Sequence, residues 1–196
     1  MGKRNLKKAM SLWPASNQNI HEPSLDFKII RVPFFLEPDY DEKKPFIETN
    51  RDRLVRKWGG EEGWREQKKR HDLKGRGEAA GIPHFNNRRL ASNTMKSHRL
   101  VQHVGKKYGL VQSEELYDRL NTYHFVEGKA LNDVDGLVEL TIDVLSLQDG
   151  GEEIRSFLED KLEPGRKEIE AAYKLTHALG IHSIPNFLVG GKFIVR

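Results

Sequence analysis

Apolar and polar positions alternate along this chain in two rhythms. Near the C-terminus Ile169, Ala172, Tyr173, Thr176 and Leu179 recur at the spacing that lines one face of a helix, and Gly180 stops it. Beyond it, two short apolar runs, Asn186 to Val189 and Lys192 to Val195, flank Gly190-Gly191, which predicts a hairpin with a two-residue primed turn. Ile184-Pro185 stands just before the first run. Proline has no N–H for a sheet ladder, so this bond marks an edge or a special turn and is a candidate cis peptide. An ordinary proline at a strand start is the alternative reading.

From the other end, Leu6, Met10 and Trp13 share a face within residues 2–13, a short amphipathic helix closed by Pro14. A polar loop, Ala15 to Ser24, leads to Leu25–Val32, where β-branched and aromatic residues alternate with polar ones as in a half-buried strand. Pro33 and Pro38 prevent that strand from continuing as a central one. From Pro45 to about Glu163 the pattern is mostly helical. Phe46 to Trp58 closes at Gly59-Gly60, and Glu61 to Ala80 is a weaker candidate with internal glycines. Asn93 is expected to cap a helix carrying Ser97, Leu100, Val101, Val104 and Tyr108 on one face, Ser113 the next, and Asp133 a third with Leu137, Leu140, Thr141 and Val144 buried. Glu152 to Leu162 and Glu168 to Leu179 complete the set. The expected organisation is an α/β domain split between residues 1–44 and 164–196, with a helical insertion at 45–163.

Composition narrows the chemistry. No apolar run approaches the roughly 18 residues of a membrane span, and no membrane partner is expected. The net charge of +4 is mild and mixed in sign, without a nucleic-acid-binding motif, so no nucleic-acid partner is expected either. There is no cysteine, which excludes disulfides, thiolate metal sites and thiol chemistry by these residues. The eight histidines form no metal pattern, and no cofactor is expected. Phe34, Phe35, Trp58 and Trp64 are read as core filling between the strand and the helices, with a hydrophobic groove as the alternative. His98, beside Leu100 and Val101, reads as a packed or capping histidine.

In this order the residues resemble the DsbA-like thioredoxin-domain family, closest to its FrnE-type branch. The resemblance rests on GKRNLKKA at 2–9, on Pro33-Phe34 with Leu36 and Pro38, and on Asn93-Thr94 with His98-Arg99-Leu100. Glu127-Gly128 before Asp133, and Ile184-Pro185, complete it. It implies a thioredoxin-like fold with a large all-helical insertion, and a lineage of protein thiol–disulfide oxidoreductases. It further implies that Ser183, Ile184 and Pro185 form the substrate-binding loop, with His182, Phe34 and His98 as candidate site-lining residues.

In that family GKR follows the first strand and a CPWC-type motif. Met1 stands where that motif would end and Arg196 where a closing helix would follow, so the expected domain lacks its first strand, its closing helix and any catalytic cysteine. The chain by itself is then expected to be redox-inactive. Kappa-class glutathione transferases and 2-hydroxychromene-2-carboxylate isomerases share the fold and use serine, and a non-catalytic peptide-binding or chaperone-like module is a further alternative. The implied partners are a thiol- or disulfide-bearing protein or a glutathione-like substrate, together with a second copy through exposed strand edges. The resemblance implies a cytoplasmic protein. The basic first twenty residues, with no acid before Glu22, also suit a mitochondrial transit peptide.

Overall fold

The computed structural model describes residues 2–16, 27–82 and 84–195. In chain order its elements are α1 (Gly2–Ser16), β1 (Glu48–Thr49), α2 (Asn50–Lys57), α3 (Glu61–His71), α4 (Leu73–Ala79), β2 (Leu90–Ala91) and α5 (Met95–Lys107). There follow α6 (Leu110–Phe125), α7 (Val134–Leu145), α8 (Glu152–Glu159), α9 (Arg166–Ala178), β3 (Phe187–Val189) and β4 (Phe193–Val195). β1 and β2 form a two-residue antiparallel ladder, with Glu48 opposite Ala91 and Thr49 opposite Leu90. β3 and β4 form the expected C-terminal hairpin, Leu188 facing Ile194. Gly190 and Gly191 both have positive φ (59° and 68°), and the Lys192 amide donates to the Val189 carbonyl, so the turn is of the primed kind.

The apolar stripes meet where α5, α6, α7 and α8 pack. Leu100, Val104, Leu116, Leu137 and Ile154 are fully buried there, the contact that holds these four helices as one block. A smaller cluster of Phe35, Met95 and Ile169, with Tyr173 packed on it, joins α9 and the segment after Pro33 to the start of α5. Arg99 runs between the two clusters. It is 2% exposed, and its guanidinium donates to the Pro164 carbonyl (2.9 Å) and the Phe157 carbonyl (3.0 Å). Burial depresses the pKa of this guanidinium, with Glu163 opposing the shift and Arg166 adding to it.

The largest departure from expectation lies at 25–32. Residues 25 and 26 fall outside the described residues, as do 17–24 of the polar loop, and 27–32 form no strand. A half-buried strand needs a ladder partner, and among the described residues none runs beside this segment. Arg31 instead donates to Glu114 of α6 (2.7 Å) and lies over the Tyr117 ring at 3.6 Å. Pro14 does not end α1, which continues to Ser16.

Caps also moved. Thr49, whose side chain accepts from the Asp52 amide, starts α2 three residues after Phe46, and the 61–80 helix breaks at Asp72 (φ 37°). Ser113 caps nothing: α6 starts at Leu110 after Gly109, and the Ser113 hydroxyl donates to the Val101 carbonyl across the helix pair (2.8 Å). Asn93 does accept from the Met95 amide (2.8 Å) although Thr94 is the capping residue, whereas Asp133 is the N-cap residue of α7 as expected, with its carboxylate accepting from Tyr123 and from no first-turn amide. Trp58 and Trp64 are not in the core. Trp58 stacks on His71, and Trp64 lies under Arg51 and Lys68 on the outer α2–α3 pair.

Candidate functional site

α9 buries Ile169 and Thr176, and the i, i+4 spacing sets Tyr173 and His177 together along the edge of the same face. Its end is closed by Gly180 (φ 70°), whose amide donates to the His177 carbonyl (2.9 Å), and by the Ile181 amide donating to Thr176 (3.0 Å). The chain then turns through 182–185. The Asn186 amide group donates to the Ser183 carbonyl (2.6 Å), which ties this loop to the start of β3. The Ile184–Pro185 peptide bond is cis. His182, Ser183, Ile184 and Pro185 are all exposed, Ile184 at 53%.

Two of the expected site-lining residues reach this loop through aromatic contacts. Phe34 lies parallel to the His177 ring at 6.2 Å and edge-on to Tyr173 at 6.1 Å, and His177 meets His182 at 5.1 Å. His98 lies at the inner end of the same chain. It packs on Phe35 at 4.9 Å, and Phe35 on Tyr173 at 5.3 Å. Burial pushes the His98 pKa down to about 4 against a weaker upward pull from a hydrogen bond with the Phe34 backbone, so the ring is neutral at pH 7. Tyr173 and His177, which link these residues, were not among the expected site residues. Their i, i+4 spacing on the predicted helix was the available signal.

The first turn of α1 arrives at the loop from the other end of the chain. A Cβ on Gly2 would stand 2.7 Å from the Pro185 Cβ and 3.5 Å from the Phe187 ring, so the helix start and the proline are in direct apposition. α1 is fixed there by charge. Lys3 pairs with Glu114 (2.8 Å) and Asp118 (2.6 Å), and Lys7 with Asp118 (3.6 Å), one i, i+4 row facing another. Burial raises the Glu114 pKa, but hydrogen bonds from Arg31 and Lys3 outweigh it and hold the carboxyl below its usual range. On the other side of α1, Arg4 donates to the carbonyls of Ala80 (3.0 Å) and Gly81 at the end of α4.

A helix N-terminus presents unpaired amides and the positive end of its dipole, and no acid lies in the first turn of α1. An anionic group placed there would be stabilised and would face Pro185. Among the described residues there is no cluster of histidines and carboxylates able to hold a metal ion, and no helix long and apolar enough to cross a membrane.

No protein-family model and no curated protein matches the chain. Among solved structures it is similar to a probable DsbA oxidoreductase from Streptomyces coelicolor, with a TM-score of 0.78 and 22% identity over 99% of this chain and 76% of that one. The likeness shows the fold, a DsbA-like thioredoxin fold with a helical insertion.

Proposed function

We propose that residues 183–185 hold an extended polypeptide for protein thiol–disulfide exchange, with this chain supplying the substrate-presenting half of an oxidoreductase of the DsbA-like, FrnE-type kind. The apposition of Gly2 and Pro185 carries this reading, because it sets the dipole-positive start of α1 opposite the loop. In this reading residues 1–44 and 164–196 make the thioredoxin-like part, 45–163 are the helical insertion, and Phe34 and His182 line the loop. The substrate is a thiol- or disulfide-bearing protein, or a smaller thiol resembling glutathione.

Exchange needs an attacking thiolate and a second thiol to resolve the mixed disulfide. The 196 residues contain neither, so both must come from outside them, from a preceding segment or a second protein. The test is to read the transcript and locus upstream of the Met1 codon, express the open frame found there, and compare it with the 196-residue chain in an insulin-reduction assay. Turnover is expected from a product that carries a cysteine pair immediately before Gly2, and none from the chain alone. A frame closed by a stop at that point, or turnover by the cysteine-free chain, refutes the oxidoreductase reading.

The absence of cysteine also favours a second reading, a non-catalytic module that holds extended peptides at the same loop. Peptide binding at Ser183–Asn186 by the product of a closed frame distinguishes it.

A further inference from the structure

α1 contains four basic residues and no acid, and they form two rows with different surroundings. Lys3 and Lys7 face the Glu114–Asp118 row of α6 and are paired with it. Arg4 and Lys8, also four apart, make the second row. Arg4 is bound to the uncharged carbonyls at the end of α4, and Lys8 is exposed with no ion pair among the described residues. Arg76 of α4, one turn before Ala80, is likewise exposed, with no ion pair among the described residues. Glu78 is the single carboxylate of α4. The Arg4 guanidinium has five N–H donors, and its bonds to Ala80 and Gly81 both run through one nitrogen, which leaves donors open.

This second row begins two residues from Gly2, which touches Pro185. At about 1.5 Å rise per residue, Arg4 and Lys8 lie within two helical turns of the loop, inside the reach of an extended peptide advancing about 3.3 Å per residue. A loop met by a helix that carries cations without carboxylate partners among the described residues favours a ligand with the complementary charge.

We propose that the polypeptide taken by the 183–185 loop carries acidic residues on the side of its seated residue that runs along α1, where Arg4, Lys8 and Arg76 meet their carboxylates. This inference rests on the loop being the peptide site and names the substrate class it takes. Charge here sets preference, and the loop supplies the seat.

The test uses the full chain, isotope-labelled, and three fluorescein-labelled peptides with one common serine-valine centre and flanks of glutamate, glutamine or lysine. The glutamate peptide should bind roughly five- to tenfold tighter than the glutamine one at low salt, as expected for a few partly exposed ion pairs, and the two should converge at about 0.5 M salt. Amide shifts should appear at Ser183 and Asn186 as well as along Arg4–Lys8. Lys8→Gln should narrow the preference, and Lys8→Glu combined with Arg76→Glu should turn it towards the lysine peptide. Equal affinity of the glutamate and glutamine peptides, with the loop amides shifting for both, overturns the acidic-substrate inference and leaves the loop reading standing. Shifts confined to Lys68–Arg70 on α3 overturn it by placing the charge contact elsewhere. If no peptide moves the loop amides, the loop reading itself fails, and the inference with it.

Discussion

Replacing Arg99 by methionine tests how α9, and with it the loop, is held in place. The side chain keeps its length and fills similar space, so packing in the cleft between the two clusters is largely preserved. What is lost is the pair of donors to the Phe157 and Pro164 carbonyls, the last turn of α8 and the approach to α9. Each carbonyl left without a donor in a half-buried position costs about 1–1.5 kcal/mol, the lower part of the range for an unsatisfied group, so the two together cost roughly 2–3 kcal/mol. Removing a buried charge returns part of that, since burial already disfavours the charged guanidinium. The expected net destabilisation is therefore about 2 kcal/mol, a sizeable share of the roughly 5–15 kcal/mol of a typical domain.

In urea, with an m-value of about 2 kcal/mol/M for a chain of this size, the midpoint should fall by about 1 M. Arg99→Lys, which keeps the charge but cannot span both carbonyls with one planar group, should fall at least as far. A midpoint within about 0.2 M of wild type for Arg99→Met would refute the view that the guanidinium is the tie between α8 and α9, because the unsatisfied-carbonyl cost would then be absent.

Acid sensitivity should appear above the carboxylate range. His98 and His124 are both pushed by burial to a pKa of about 4, from an ordinary 6.5, so in the folded state they bind fewer protons than when unfolded and stability falls as pH drops from 6.5 towards 4. Each histidine contributes a slope approaching about 1.4 kcal/mol per pH unit near pH 5, and His98→Asn should remove about half of the fall between pH 6.5 and 5 in urea titrations; an unchanged slope would show that His98 titrates freely. Gly2→Ala would set a methyl 2.7 Å from Pro185, so the Ser183–Asn186 amides should shift, with a stability cost below about 1 kcal/mol because a helix end can move away. Unmoved loop amides would mean that α1 and the loop are not in contact in solution.

How far the sequence reveals this structure depends on the range of the contacts involved. The stripes of α5 and α7 are legible because Leu100 and Val104, like Leu137 and Thr141, are four apart, and burial follows that spacing. The hairpin at 187–195 is legible from two glycines between apolar runs. Residues 27–32 mislead for the opposite reason. Alternation predicts a strand, but a strand is made by its partner, and the partner is not a property of the segment. Ser113 fails as a cap because its hydroxyl is taken by Val101, twelve residues away in the neighbouring helix. Arg99 lies off the stripe of Leu100, Val101 and Val104, one turn after Met95, with no local sign that it reaches Phe157 and Pro164. The loop was legible as a proline before a strand, but its meeting with Gly2, at the other end of the chain, was not legible from local pattern. Tyr173 and His177 could have been named from their spacing alone.

Both parts of the candidate site are positioned by helices that contribute no residue to the loop itself. Gly2 stands against Pro185 because α1 is held by Lys3 and Lys7 on Glu114 and Asp118 of α6, and by Arg4 on the end of α4. The loop is where it is because α9 is packed through Ile169 on Met95, with Arg99 of the same helix α5 binding the turn that precedes it. α5 and α6 in turn share one core through Leu100, Val104 and Leu116. The Lys3–Glu114 pair, 15% and 23% exposed, lies deeper than the surface ion pairs that contribute little, so it belongs among the contacts that set geometry. The separation of Gly2 and Pro185 is thus fixed through the helical block. A change that loosens the α5–α6 packing should therefore alter the site without touching it, whereas a change in the exposed loop should leave the block intact.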